Sequence, residues 1–375
     1  MSSALNIEEG TTTPEQAAST QNIPNTKKSI NWPLLYLSCT LVAIGATGGP
    51  LLTRLYYRHG GDRRWIATSM QTAGFPILFL PLFVFYLQSR RQGVKLSMFF
   101  MEPKLFWLSF TIGVLLGLEI DLHAGGLSDT PVSTSSMVFS SQIIFLAVFA
   151  LLIVKQKFTA YSIISVILVT LGLALSGLAA NGDRPADTSD VEYYLGLFLV
   201  LASAALLGLI WPLIERAYSK AKRPVNYVIV LQFQINVAIF ATLFNVIGLA
   251  IQRDQFDIVS LEASKYGLGN GMYYFVLIAG AVVWQLLYIG GLGVIFCFNS
   301  LFTGILAAIF LPITSIIAVI AYDDKFNGLM VVSLLICLLG FTSYLLGEYR
   351  TNKKKSYPMT QVGDNNPSND VASSV

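Results

Sequence analysis

From one charged side chain to the next, the chain falls into long uncharged stretches separated by short charged intervals. Lys28 to Arg54, Arg64 to Arg90, Asp129 to Lys155 and Lys157 to Asp183 each enclose 25 residues without Asp, Glu, Lys or Arg. Glu192 to Glu215 and Lys325 to Glu348 each enclose 22, and Arg223 to Arg253 encloses 29. One helix crosses a membrane in about 17 to 25 apolar residues, so each gap holds one crossing. The gap from Lys265 to Asp323 encloses 57 residues and must hold two. Gly290, Gly291 and Gly293, ahead of Asn299 and Ser300, predict the turn between them. Lys104 to Gly126 supplies one more span. The pattern predicts an all-α membrane protein with ten transmembrane helices.

Composition agrees. Of 375 residues, 54% are hydrophobic and 12% charged, half the charge of a soluble domain. The net charge of +3 leaves no basic footprint for nucleic acid. Residues 1–29 are Ser-, Thr- and Gln-rich, without the apolar run of a signal peptide. They are expected to form a disordered tail, as are residues 350–375, both cytoplasmic. Cys39, Cys297 and Cys337 lie inside spans without a CxxC pair, and the chain has two histidines, so neither a disulfide framework nor a metal or other cofactor is expected. No P-loop, GxSxG or HExxH motif is present, which leaves ATP-driven pumping and hydrolysis without a foothold. The chain is therefore not expected to be an enzyme.

With the amino terminus in the cytoplasm, Lys and Arg divide 16 inside to 8 outside, which places both termini inside. Arg54, Arg58, Arg63 and Arg64 in the first outer loop oppose the rule locally. VKQKF (Val154 to Phe158) has a counterpart 168 residues on in YDDKF (Tyr322 to Phe326), and at the same offset Ser165 meets Ser333 and Gly172 meets Gly340. Two five-span halves follow, residues 30–180 and 193–349, joined by a linker at 181–192. Five being odd, the second half is inverted relative to the first, a transporter arrangement with its site between the halves. Gly48, Gly49 and Pro50 in span 1, with Pro212 beside Trp211 in span 6, predict matching helix breaks.

No Lys or Arg lies inside a span, so a phosphorylated substrate would meet no fixed cation, and a neutral or cationic one fits better. Span 3 carries the acids Glu119 and Asp121. Two residues apart, they face opposite sides of a helix, whereas Glu119 and His123 share a face. Glu119 lies about 22 Å along the helix from Lys104, in the outer half of the membrane, and is the candidate proton carrier. Asp121 and His123 are expected at the outer rim. In span 4, Gln142 shares a face with Phe139, Phe145 and Phe149. An amide among rings suits a flat heterocycle, with the rings on its faces and the amide at its edge. Trp284, Gln285 and Tyr288 in span 8, Asn299 opening span 9, and Trp211 complete the candidate binding set. Glu215 and Arg216 are expected to form a structural charge pair. In span 7 only Gln232 and Asn236, at i,i+4, are expected to act together.

GGPLLTRLYYRHGG (Gly48 to Gly61), TAGFPILFLPL (Thr72 to Leu82), PVSTSSMVFSSQIIFLAVFALLIVKQKFT (Pro131 to Thr159), VVWQ (Val282 to Gln285) and GFTSYLLGEY (Gly340 to Tyr349) resemble the plant purine permeases, over Asn31 to Tyr349. The resemblance implies the drug/metabolite transporter fold and proton-coupled import of adenine-type purines, cytokinins and related nitrogen heterocycles, including alkaloids. Its span-3 pattern G-L-D-N/D-Y-L-Y reads Gly117, Leu118, Glu119, Ile120, Asp121, Leu122, His123 in this chain. One acid survives and both tyrosines are replaced. An acid often found in span 7 is Gln232, the acid after L-P-V-T in span 9 is Ser315, and a span-10 tryptophan is Leu339.

The expectation is a plasma-membrane importer of purine- or cytokinin-class heterocycles, working with protons in the lipid bilayer. Its alternatives are import of a larger alkaloid such as a benzylisoquinoline, or a membrane receptor that binds a heterocycle without moving it. Oligomeric state is not legible.

Overall fold

The computed structural model describes residues 31–91, 101–179, 189–221, 225–251, 257–322 and 326–356. The expected amino-terminal tail, most of the carboxyl-terminal tail and most of the 181–192 linker lie outside these residues. Within them the chain is helical, with no strand.

Ten stretches are long and apolar enough to cross a membrane. The first is α1 (Trp32–Arg58). The second is composite, with α2 (Arg64–Thr72), a 3-10 turn (Phe75–Leu78) and α3 (Phe79–Arg91). The third is α4 (Pro103–Asp129), and the fourth comprises α5 (Val132–Phe139), α6 (Gln142–Phe149) and a π-helical turn (Ala150–Val154). Then come α7 (Ala160–Ala179), α8 (Asp190–Ser219) and α9 (Tyr227–Ile251), a short α10 (Asp257–Lys265), and the last three spans, α11 (Asn270–Cys297), α12 (Ser300–Tyr322) and α13 (Gly328–Ser356). Thus α8 starts before residue 193 and α13 runs past Tyr349, both beyond the boundaries expected from sequence.

Local chemistry sets several helix starts. The Asn31 side chain accepts the Leu34 N–H at 3.3 Å just ahead of Pro33, a residue suited to a first turn. Ser189 and Glu192 form a capping box, each side chain accepting the other's backbone N–H. Large apolar side chains such as Leu152, Ile278 and Ile320 point outward, the surface a bilayer accepts.

Inside the bundle, α1 packs on α11, α7 on α13, and α4 on both α8 and α9. The turn expected at Gly290 to Gly293 is not there. α11 continues through all three glycines to Cys297, and the chain turns at Phe298 and Asn299. The glycines are buried because neighbours press on them. A methyl group on Gly290 would lie 2.8 Å from the Ser38 carbonyl of α1, and one on Gly291 would lie 2.7 Å from the Trp211 ring of α8. Small residues let membrane helices approach this closely.

The breaks expected at Gly48, Gly49 and Pro50 and at Pro212 are also absent, since α1 and α8 run unbroken through both prolines. Pro50 cannot donate to the Ala46 carbonyl, and the hydroxyl of Thr314 in α12, which donates to the Phe310 carbonyl at 2.7 Å, lies 3.4 Å from it. The interruptions lie instead in the second span, at Ala73 and Gly74, and in the fourth, at Ser140 and Ser141.

At one end, α10 closes the loop between α1 and α2. Buried Glu262 accepts from Tyr56 Oη at 2.7 Å, from the Asp62 N–H at 2.8 Å and from Tyr273 Oη at 3.4 Å. At the same end, Arg58 donates to the Tyr322 carbonyl at 2.6 Å, and the Arg54 and Arg58 guanidiniums lie 5.1 and 5.4 Å from the Tyr322 ring centre.

Candidate functional site

Helix α4 carries the acids. Glu119 is 5% exposed, and among the described residues no hydrogen bond or ion pair reaches its carboxyl. Asp121 faces the other way, as two-residue spacing requires, and pairs with Arg64 at 3.2 Å. That ion pair ties α4 to the start of α2. His123, one turn after Glu119, is half-buried between α5 and α8. Its ring centre lies 4.2 Å from that of Phe139 at a 47° tilt, and its Nδ1 is 3.5 Å from Ser203 Oγ of α8.

Gln142 is the first residue of α6, immediately after the Ser140–Ser141 interruption. There α8 comes so close that a methyl group on Gly208 would sit 3.0 Å from the Gln142 carbonyl. Phe139 ends α5 on the other side of the interruption, and Phe145 lies one turn further on, its ring 6.5 Å from Phe149.

Trp284 packs its indole over Gly49 of α1, donates from Nε1 to Thr53 Oγ1 at 3.2 Å and stacks on Tyr288 at 6.3 Å with a 26° tilt. Tyr288 is buried and within electrostatic reach of Glu119, which links the α11 aromatics to α4. Trp211 is buried against Gly291. Glu119, Phe139, Gln142, Trp211, Trp284 and Tyr288 therefore occupy a contiguous set of packed helices, α1, α4, α5, α6, α8 and α11.

Two candidates are engaged elsewhere. Gln285 is fully buried, with its amide donating to the Thr72 carbonyl at 2.8 Å and its oxygen accepting from Gln234 at 3.1 Å. Asn245 of α9 joins the same network through Thr72 Oγ1 at 3.3 Å and the Thr68 carbonyl at 3.4 Å. This network braces the α2 end where the second span breaks. Asn299 caps α12 by accepting the Phe302 N–H at 2.8 Å, and it also accepts Tyr344 Oη at 3.1 Å.

Glu215 and Arg216 do not pair with each other. Glu215 accepts the Ser300 N–H at 2.7 Å, where the positive end of the α12 dipole favours a carboxylate, and Arg216 donates to the Ile153 carbonyl in the π-helical turn at 2.6 Å. A cavity of about 680 Å³ lined by Thr159, Tyr161, Gly347, Arg350 and Lys353 lies at the ends of α7 and α13, away from the candidate set.

The comparisons agree with this architecture. A family model described as purine nucleobase transmembrane transport matches residues 33–354. Purine permease 3 of Arabidopsis thaliana is 38% identical over 325 residues, covering 86% of this chain and 92% of the relative. Purine permease 2 of the same plant is 35% identical over 342 residues, covering 88% and 96%. A solved crystal structure with 15% identity superposes with a TM-score of 0.59, covering 84% of this chain and 98% of its own, and so shares the fold. Ten apolar helices and a match over nearly the whole described chain make this a multi-pass membrane protein, and it belongs to the purine permease family of transporters.

Proposed function

We propose that the chain is a proton-coupled importer of purine nucleobases and cytokinins, with Glu119 as the proton carrier and Phe139, Gln142, Trp211, Trp284 and Tyr288 around the substrate. The observation that carries this reading is Glu119 itself, a buried carboxyl without a partner among the described residues, one turn from His123 and within electrostatic reach of Tyr288. An intramembrane acid left unpaired is expensive to keep unless its ionisation is used. Gln285 and Asn299 act in this scheme as braces that hold the helices bearing the site.

The two halves, 30–180 and 193–349, are proposed to be inverted repeats. Two features support this. Span 1 packs on span 8 just as span 6 packs on span 3, and span 5 packs on span 10. The excess of Lys and Arg on one side supports cytoplasmic termini, and a plasma-membrane location is the setting that importing from outside requires.

One proton crossing a one-unit pH gradient and 100 mV releases roughly 3.7 kcal/mol, enough to concentrate a neutral substrate several-hundred-fold. A second reading, import of a larger protonated alkaloid, rests on the departures from the family's span-3 pattern at Ile120, Asp121 and His123. The membrane potential alone would draw such a cation in. Uptake of adenine, a cytokinin and a benzylisoquinoline by expressing cells, at acid and neutral outside pH and with a protonophore, tests both. Acid-stimulated, protonophore-sensitive uptake that loses its pH dependence in Glu119→Gln is expected. A Glu119→Gln protein at the surface with the wild-type pH dependence refutes the assignment. Saturable binding without accumulation would support a receptor instead.

A further inference from the structure

The α4 side chain that this transport scheme leaves without a role is His123, and its surroundings define its protonation. Ser203 Oγ has one proton, and its good acceptor is the Val200 carbonyl at 2.8 Å. The serine oxygen therefore presents lone pairs to His123 Nδ1, 3.5 Å away. A bare nitrogen would set lone pair against lone pair, whereas an Nδ1–H can donate. The Phe139 ring lies against the imidazole at 4.2 Å and limits its rotation. Nε2 then carries the lone pair, and it has no partner among the described residues.

We propose that His123 is held as the Nδ1–H tautomer by Ser203 and offers Nε2 as an acceptor to a substrate N–H. Together with Glu119, one turn away on the same face, it reads ligands that present two N–H donors. The residues lie about 6 Å apart on the helix, and both are acceptors. Phe139 supplies a ring face beside them. The ligand that complements this triad is a flat nitrogen heterocycle with a ring N–H and an exocyclic N–H, and alkylation of either nitrogen removes a contact. The inference rests on the transport reading for its substrate class, but the tautomer does not depend on it.

The chain's two histidines make the tautomer directly visible. Purified protein labelled with ¹⁵N-histidine is expected to show a pyrrole-like Nδ1 and a pyridine-like Nε2 for His123, assigned by their loss in His123→Phe. Ser203→Ala is expected to yield a tautomer mixture, and added adenine is expected to shift the Nε2 signal. In uptake, wild type is expected to favour adenine over 6-dimethylaminopurine, and His123→Phe to lose about tenfold of that preference. His123→Gln, which keeps an acceptor near the Nε2 position, is expected to restore part of it. An Nε2–H tautomer in the wild type, or an unchanged preference in His123→Phe, overturns the proposal. The predicted tautomer with an adenine-sensitive Nε2 but no uptake would uphold it and refute the transport reading instead.

Discussion

Ser333 donates its hydroxyl to the Gly172 carbonyl at 2.7 Å, where α13 crosses α7. At the other end of the same crossing, Gly340 faces the Ser165 carbonyl, 3.2 Å from where its β-carbon would be. Ser165 and Gly172 are the residues that the 168-residue offset pairs with Ser333 and Gly340. Each glycine thus meets the counterpart of its own serine partner, the reciprocity expected of contacts across a two-fold axis, which supports the inverted-repeat proposal.

This crossing has no spare room. A methyl group on Gly172 would lie 2.5 Å from Cys337 Sγ, so Gly172→Val is expected to cost about 1 to 3 kcal/mol through overpacking. Ser333→Ala removes only the hydrogen bond, worth about 0.6 kcal/mol between membrane helices. Thermal unfolding of the purified variants should rank Gly172→Val well below Ser333→Ala, and equal losses would contradict the steric account.

The Gln234–Gln285–Thr72 network makes a different demand. Gln285→Leu leaves the Gln234 amide and the Thr72 carbonyl buried without their partner, at about 1 to 3 kcal/mol. Replacing both glutamines by leucine removes the stranded amide, so the double variant should be less damaged than the sum of the singles. A double-mutant cycle by denaturant unfolding in detergent checks this, and strict additivity would dissolve the network.

Glu262 Oε1 accepts both Tyr56 Oη and the Asp62 N–H, while Oε2 accepts Tyr273 Oη, and a leucine offers none of these acceptors. Glu262→Leu is therefore expected to free the loop between α1 and α2. Hydrogen exchange at the Asp62 amide is the direct readout. It should speed up in the variant, while amides in α7 and α13 keep their wild-type protection.

Trp284→Phe keeps an aromatic ring over Gly49 and against Tyr288 but loses the indole N–H that reaches Thr53. If Trp284 stacks on substrate, the variant should retain most affinity, and Trp284→Ala should lose about 1 to 3 kcal/mol of it. Similar affinity in the alanine variant would remove Trp284 from the site.

The spans were legible because charge is so costly in hydrocarbon that it collects at their boundaries, and the boundary misplaced was the one between α11 and α12, which carries none. Features set by partners on other helices were not. Gly290 to Gly293 resembles a turn until Ser38 and Trp211 press on it. Gln234 and Asn245 look unrelated at a spacing of eleven, yet three turns of helix bring them to one face, where they join the same network. The prolines of α1 and α8 were visible, but the packing that lets both helices run on through them was not. Glu119 could be picked out as a buried acid from its own span, whereas the neighbours of His123, Ser203 and Phe139, come from α8 and α5.

The arginines between α1 and α2 bear on how the protein is made. Arg58 finds its carbonyl at Tyr322, near the end of α12, and Arg64 finds its carboxylate at Asp121 in α4. During synthesis the first helix emerges with basic residues at a boundary and without these partners. Its seat in the bilayer is thus provisional until later helices arrive. The last partners of the first helix come from the ninth span, and truncation before Tyr322 is expected to leave Arg58 without its carbonyl while the α1–α11 packing remains.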